Sequence, residues 1–148
     1  MSAFVTAGCG FLLAVLWFDL MFDVQARGPD APDGDGLVSI AAYYRRVTLQ
    51  AHPMNRLVAL VMLGTVAALV VQLAAGDAPR WASGVSLALV LAACGLALGH
   101  TFANGARLGG GRQAPERQRR LAKLMLRDHL LCLPAIATVI VVQLAFAT

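Results

Sequence analysis

The chain has 148 residues, of which 59% are hydrophobic and 14% charged, with a formal net charge of +4 and a mean hydropathy of +0.70. A soluble globule carries about a quarter charged residues, and a disordered chain is poor in apolar residues and rich in charge. Both classes are excluded, which leaves an integral membrane protein.

Four stretches without charge, at 1–18, 57–76, 81–106 and 129–148, set the expected fold. A helix needs about 20 apolar residues to cross a hydrocarbon core of about 30 Å. The first stretch reaches that length by running past Asp19. None shows the period-2 alternation of a barrel strand. Only helices and closed barrels satisfy the backbone in lipid, so the expectation is an all-α, integral membrane four-helix bundle forming a single transmembrane domain, with spans at about 3–23, 55–75, 81–104 and 129–147. A cleaved signal peptide would begin with basic residues, yet no Lys or Arg precedes Arg27, and the first stretch is read as a retained helix.

The connections are of two kinds. Gly76-Asp77-Ala78-Pro79-Arg80 reads as a tight turn joining the second and third spans in a hairpin. After the Gly/Pro/Asp loop at 27–36, Ile40, Tyr43, Tyr44, Val47 and Ala51 recur at helical spacing, which predicts an interfacial amphipathic helix. Pro53 suits the first turn of the second span. Gly109-Gly110-Gly111 ends the third, and Pro115 opens a second amphipathic segment. Eleven of the twelve basic residues lie in 24–56 and 104–128, with Arg80 alone on the other side. By the positive-inside rule both amphipathic segments are cytoplasmic and both termini lie outside, with the bacterial inner membrane as the expected location. The charge reads as topology and attraction to membrane lipids, the run from Arg117 to Arg127 above all, and not as a nucleic-acid surface. Cys9, Cys94 and Cys132 fall in three spans without a CxxC pair and read as small buried hydrophobes. Gly8, Gly10, Gly95 and Gly99 read as close-packing positions.

Polar residues gather at the cytoplasmic ends of the spans. Asp19 and Asp23 are four apart, hence on one helix face. His52, Asn55 and Arg56 open the second span; His100, Asn104 and Arg107 follow one stripe where the third ends; His129 opens the fourth, with Cys132 a turn deeper. Imidazole and carboxylate are ligands for iron, copper or zinc, and facing histidines can hold haem, so His52, His100, His129 and Asp19 are candidate ligands for iron, copper or haem. A metal-free site is an equal alternative, in which a desolvated His or Asp acts as a general base. The structural alternative is that Asp19 and Asp23 pair with Arg56 or Arg107 to lock the bundle. An ionisable residue within a span is a functional hypothesis by default.

Gly10-Phe11, Arg45-Arg46 followed by Pro53 and Asn55, then Asn104 and finally His129 follow the order and spacing of a known group. In these features the chain resembles the anthrone oxygenase-like family of small four-helix membrane proteins. Where that family has an NxPxN segment, this chain reads Asn104-Gly105-Ala106-Arg107-Leu108. The resemblance implies oxidation of a polycyclic phenolic carbon by dioxygen, with Asn104 and His129 at the carried-over positions. A second likeness, of Arg46 and Asn55 to the membrane-associated glutathione-transferase-like family, stops at Val58, where that family has an acidic residue.

The expected function is a membrane oxygenase or oxidoreductase-like protein that binds a small hydrophobic, aromatic or quinone-like molecule in a polar pocket at the cytoplasmic face. His100 or His129 would move a proton or hold a metal, and Asn104 would bind the substrate oxygen. Asp19, Asp23, Asn55, Arg56 and Arg107 would line the site, an arginine stabilising a phenolate. The alternative is a non-catalytic accessory subunit of a larger membrane complex, or a homo-oligomer. A transporter would call for an inverted repeat or a broken helix at mid-membrane, and neither is visible.

Overall fold

The computed structural model describes residues 1–28 and 30–147, without the side chain of His52. Among these residues the chain is helical throughout, with no strand. Four helical runs are long and apolar enough to cross a membrane, at Ser2–Ala26, Pro53–Ala75, Arg80–Gly109 and Pro115–Phe146.

Helix α1 (Ser2–Asp23) ends in a 3-10 turn over Val24–Ala26. Helix α2 (Gly34–Tyr44) starts at Asp33, whose carboxylate accepts the backbone N–H of Gly36 at 2.7 Å in an N-cap. It runs on as a π-helical turn over Arg45–Gln50. Pro53 offers no backbone N–H and constrains the residue before it, so the run breaks at Ala51 and α3 (His52–Ala75) begins afresh. Gly76, at φ +73°, closes α3 in the left-handed conformation that favours glycine. Helix α4 (Arg80–Leu96) then returns beside α3, as the turn predicts. A second π-helical turn over Ala97–Thr101 leads into α5 (Phe102–Gly109).

The last helix differs from the expectation. The segment opened by Pro115 is continuous with the final span, so α6 runs unbroken over Pro115–Phe146. Pro134 lies inside it without ending it. Residues such as Leu121 and Met125 are buried against α2 and α5, so this half of α6 serves as core of a cap as well as leading into the membrane.

The four long helices pack in a ring, α1 against α3, α3 against α4, α4 against α6, and α6 against α1. Inside the ring lies a core of Val5, Cys9, Leu69, Val90 and Val139 among others. A second core, containing Ile40, Tyr44, Leu108 and Met125, sits where α2 and α5 cover one end of the ring. At the other end three helices are tied by amides: Gln72 donates to Gln143 at 3.1 Å, and Gln143 donates to Ser86 at 3.0 Å. These two bonds give each side chain a partner on a neighbouring helix, while Gln72 Oε1 is buried and accepts none. Cys9, Cys94 and Cys132 are free. Of the glycines expected to allow close packing, only Gly8 does so, facing Thr65 of α3; a Cβ on Gly10, Gly95 or Gly99 would meet nothing within 4 Å. A sequence pattern of small residues does not say which helix face is inward.

Candidate functional site: a carboxylate–imidazole–phenol cluster

Where the two cores meet, α1, α2 and α6 bring together five polar side chains. Asp19 and Asp23 sit one turn apart on α1, as their spacing requires. His129 of α6 stands between them. Its Nδ1–H donates to Asp23 Oδ2 at 2.6 Å, and its Nε2 lies 3.8 Å from Asp19 Oδ2, beyond hydrogen-bond reach. Each carboxylate also accepts a phenol from α2: Tyr43 donates to Asp19 at 2.6 Å, and Tyr44 donates to Asp23 at 2.8 Å. Consecutive helical residues diverge by about 100°, which lets one dipeptide reach two carboxylates a turn apart. Phe22 stacks on Tyr43 with ring centroids 4.1 Å apart and fixes that ring.

Asp23 is fully buried and His129 is 4% exposed. A carboxylate in such a place is stable only when paired and hydrogen-bonded; Asp23 has one partner on each oxygen. The donation from Nδ1 selects the tautomer of His129 and leaves Nε2 with its lone pair. A carboxylate that orients an imidazole in this way prepares the far nitrogen to accept a proton.

His129 is one of the residues lining a cavity of about 310 Å³ that runs between the helices into the membrane-spanning region. Its polar end holds Asp19, Tyr43 and His129, with Thr48, Asn55 and Thr101 nearby, and the rest is apolar. Phe18 and Met54 line it and are also exposed, at 60% and 47%, on the outer surface of the ring. Both π-helical turns border it, through Val47 and Thr48 and through Ala97 and Thr101. Such turns occur often at functional sites because they displace side chains from the regular helical register. Thr48 closes its own turn by donating to Tyr44 O at 2.5 Å, and Asn55 donates to Thr48 O at 3.1 Å.

A second, smaller cluster adjoins the first on α6. The carboxylate of Asp128, the residue before His129, accepts from His100 Nδ1 at 2.8 Å. The amide of Asn104 lies 3.3 Å from the same nitrogen, and Arg107 reaches Asn104 Oδ1 at 3.5 Å. The His100 side chain is 47% exposed while Asp128 and Asn104 are buried, and none of the three lines the cavity.

The residues expected from sequence therefore divide. Asp19, Asp23 and His129 come together as a site, and Asn55 lines the cavity while its amide binds backbone. His100, Asn104 and Arg107 form a separate network. The expected pairing of Asp19 and Asp23 with Arg56 or Arg107 is absent: among the described residues their partners are His129, Tyr43 and Tyr44, because α2 inserts its phenols where the arginines would have to reach. Arg56 is exposed and lines none of this. His52, a candidate ligand, has its side chain outside the described part of the structure. Among the described residues no three His, Cys, Asp or Glu side chains converge as a metal site. His100 and His129 are each engaged by a different aspartate. Tyr43, Tyr44 and Asp128 were not legible as site residues. The signal available for the first two was an adjacent pair of tyrosines facing an i, i+4 pair of aspartates.

Burial, followed by the charge of the neighbouring carboxylates, raises the pKa of both phenols, Tyr44 well above its usual value. A phenol whose pKa is raised in the fold contributes stability that is complete below the unfolded value of about 10 and is lost as pH rises beyond it. Tyr43 and Tyr44 are the two tyrosines of the chain. In an alkaline titration followed by near-ultraviolet absorbance, tyrosinate is therefore expected to appear together with loss of helical circular dichroism. Tyrosinate developing near pH 10 in a fully helical protein would contradict the buried pairing.

No family model matches the chain, and no curated protein or solved structure does either. What fold and site define is a class: an all-helical chain with four potential membrane spans and an apolar cavity ending in a carboxylate–imidazole–phenol cluster.

Proposed function

We propose that the protein binds a small hydrophobic molecule bearing an acidic hydroxyl or carbonyl, of aromatic or quinone type, and exchanges a proton with it in an oxygenase- or oxidoreductase-like reaction. The observation that carries this reading is His129, held by Asp23 at 2.6 Å and lining the apolar cavity beside Asp19 and Tyr43. A ligand phenol donating to Nε2 from the cavity would give its proton to the imidazole, and the imidazolium formed would be stabilised by the carboxylates of Asp23 and Asp19. The phenolate so generated is the electron-rich form that an oxidant such as dioxygen attacks. The cavity volume lies at the lower end of the range for small-molecule sites, and the exposure of Phe18 and Met54 on its wall supports access from the bilayer. The excess of basic residues at 24–56 and 104–128 supports a cytoplasmic position for this end of the ring and for α2, in a bacterial inner membrane, with both termini outside. The likeness to anthrone oxygenase-like proteins accords with this reading at His129, whereas Asn104 is buried beside His100 and does not line the cavity.

The test is calorimetric titration of the purified protein in detergent with 1-naphthol. Saturable binding to the wild type is expected. His129→Gln should weaken it about tenfold, the worth of a charge-assisted hydrogen bond. Ala97→Phe, which places a ring in the cavity, should abolish it. Binding unchanged in both variants would remove the cavity from the function.

A further inference from the structure

We propose that a groove outside the ring, formed by Arg45, Arg107 and Arg112, is a binding site for a phosphate-bearing anion. The groove lies between the π-helical turn that follows α2 and the glycine loop that follows α5, and it is separate in lining residues from the cavity described above. Gln50 and Gln113 complete its polar wall, and it contains no Asp or Glu. None of the ion pairs among the described residues involves an arginine, so the three arginines that line the groove have no carboxylate within ion-pair distance. Like charges so placed repel, and an anion that accepts from several of them relieves the repulsion.

The groove is built rather than incidental. Arg45 donates through Nε to Gly109 O at 3.1 Å, which anchors its guanidinium over the loop and leaves both Nη groups for a ligand. The backbone of α5 comes so close that a Cβ on Gly109 would lie 2.6 Å from the backbone nitrogen of Arg45. Gly111, at φ +65°, turns the chain in a conformation open to glycine, and a Cβ there would stand 3.2 Å from Arg45 Nη2. Glycine at both positions lets the loop carry Arg112 to the same groove as Arg45 and Arg107. The groove sits at the end of α5, where a run of apolar helix gives way to polar loop, which is the level of phospholipid headgroups. A phosphate can therefore arrive there either as a headgroup or as a free or small-molecule phosphate.

Two probes separate these sources. The purified protein in a nonionic detergent is titrated with dioctanoyl phosphatidic acid, with dioctanoyl phosphatidylcholine as the zwitterionic control, and the titration is repeated in excess inorganic phosphate. Phosphatidic acid is expected to bind more tightly than phosphatidylcholine. Arg107→Gln and Arg112→Gln should each weaken it about fivefold, the scale for one basic residue beside an anionic lipid surface. The variant Arg27→Gln, which removes one exposed charge outside the groove, should leave it unchanged. Loss of lipid binding in the excess of inorganic phosphate would assign the site to free phosphate, and unchanged lipid binding would assign the site to lipid. Equal binding of the two lipids overturns the proposal. So does an equal loss in the Arg27 variant, which would reduce the effect to diffuse attraction. Helical circular dichroism and melting temperature matching the wild type keep each variant interpretable.

Discussion

Replacing Asp23 by alanine is expected to cost about 3 kcal/mol of stability, more than any other single change at the site. Asp23 is fully buried and accepts from both His129 and Tyr44, so it joins α1 to α6 and to α2 at one point. Its removal strands an imidazole and a phenol in a place with no water to replace the lost acceptor. Removing one member of a buried, hydrogen-bonded pair costs about 3–5 kcal/mol because the other is left uncompensated, and the lower end applies because Asp19 remains within 3.8 Å of His129. Asp23→Asn keeps one acceptor oxygen and should cost about 1 kcal/mol. It should nonetheless weaken naphthol binding, since a neutral amide no longer stabilises imidazolium. Thermal melting of the three proteins in the same detergent reads the stability order. If Asp23→Ala melts with the wild type, the cluster does not hold the cap to the bundle.

The second large effect is expected at Gly109. An alanine there would place its Cβ 2.6 Å from Arg45 N and 2.8 Å from Tyr44 C, against backbone that cannot rotate away. Overpacking of this kind costs typically 1–3 kcal/mol, and the upper end applies because the contact is with main chain. The displacement has a direction: it pushes the junction of α2 and its π-helical turn away from α5, and Tyr44 lies at that junction. Gly109→Ala should therefore lower the melting temperature and bring one tyrosine into ionisation at lower pH. Gly10→Ala and Gly95→Ala are the controls. Both glycines lie inside helices with nothing within 4 Å of a Cβ, and alanine should leave stability unchanged or raise it by up to about 1 kcal/mol. Equal melting of all three variants would mean that α5 does not pack on α2 as described.

Much of the architecture was determined by composition and pattern alone. The length and apolarity of each run predict the four long helices, because a helix must satisfy its backbone internally wherever water is absent, and that requirement is local to the segment. Gly76 and the Gly109–Gly111 loop mark helix ends for an equally local reason, the backbone conformations that glycine adopts without strain. The i, i+4 spacing of Asp19 and Asp23 places both carboxylates on one face before any tertiary contact exists.

Tertiary packing alone decided what those carboxylates face. Arg56 and Arg107 suit an aspartate as well as His129, Tyr43 and Tyr44 do by charge and hydrogen bonding, and no periodicity distinguishes them. The choice follows from α2 folding back over the end of the ring, with its phenols on α1 and its π-helical turn against α5. The same packing separated His100 and Asn104 from His129, because His100 pairs with Asp128 and stays half exposed while Asp23 holds His129 inside. It also joined the Pro115 segment to the last span, since the apolar face of that segment finds a protein surface to cover instead of a lipid one. Side-chain partners across helices depend on the rotation and depth of two helices at once, and a pattern along one chain specifies neither.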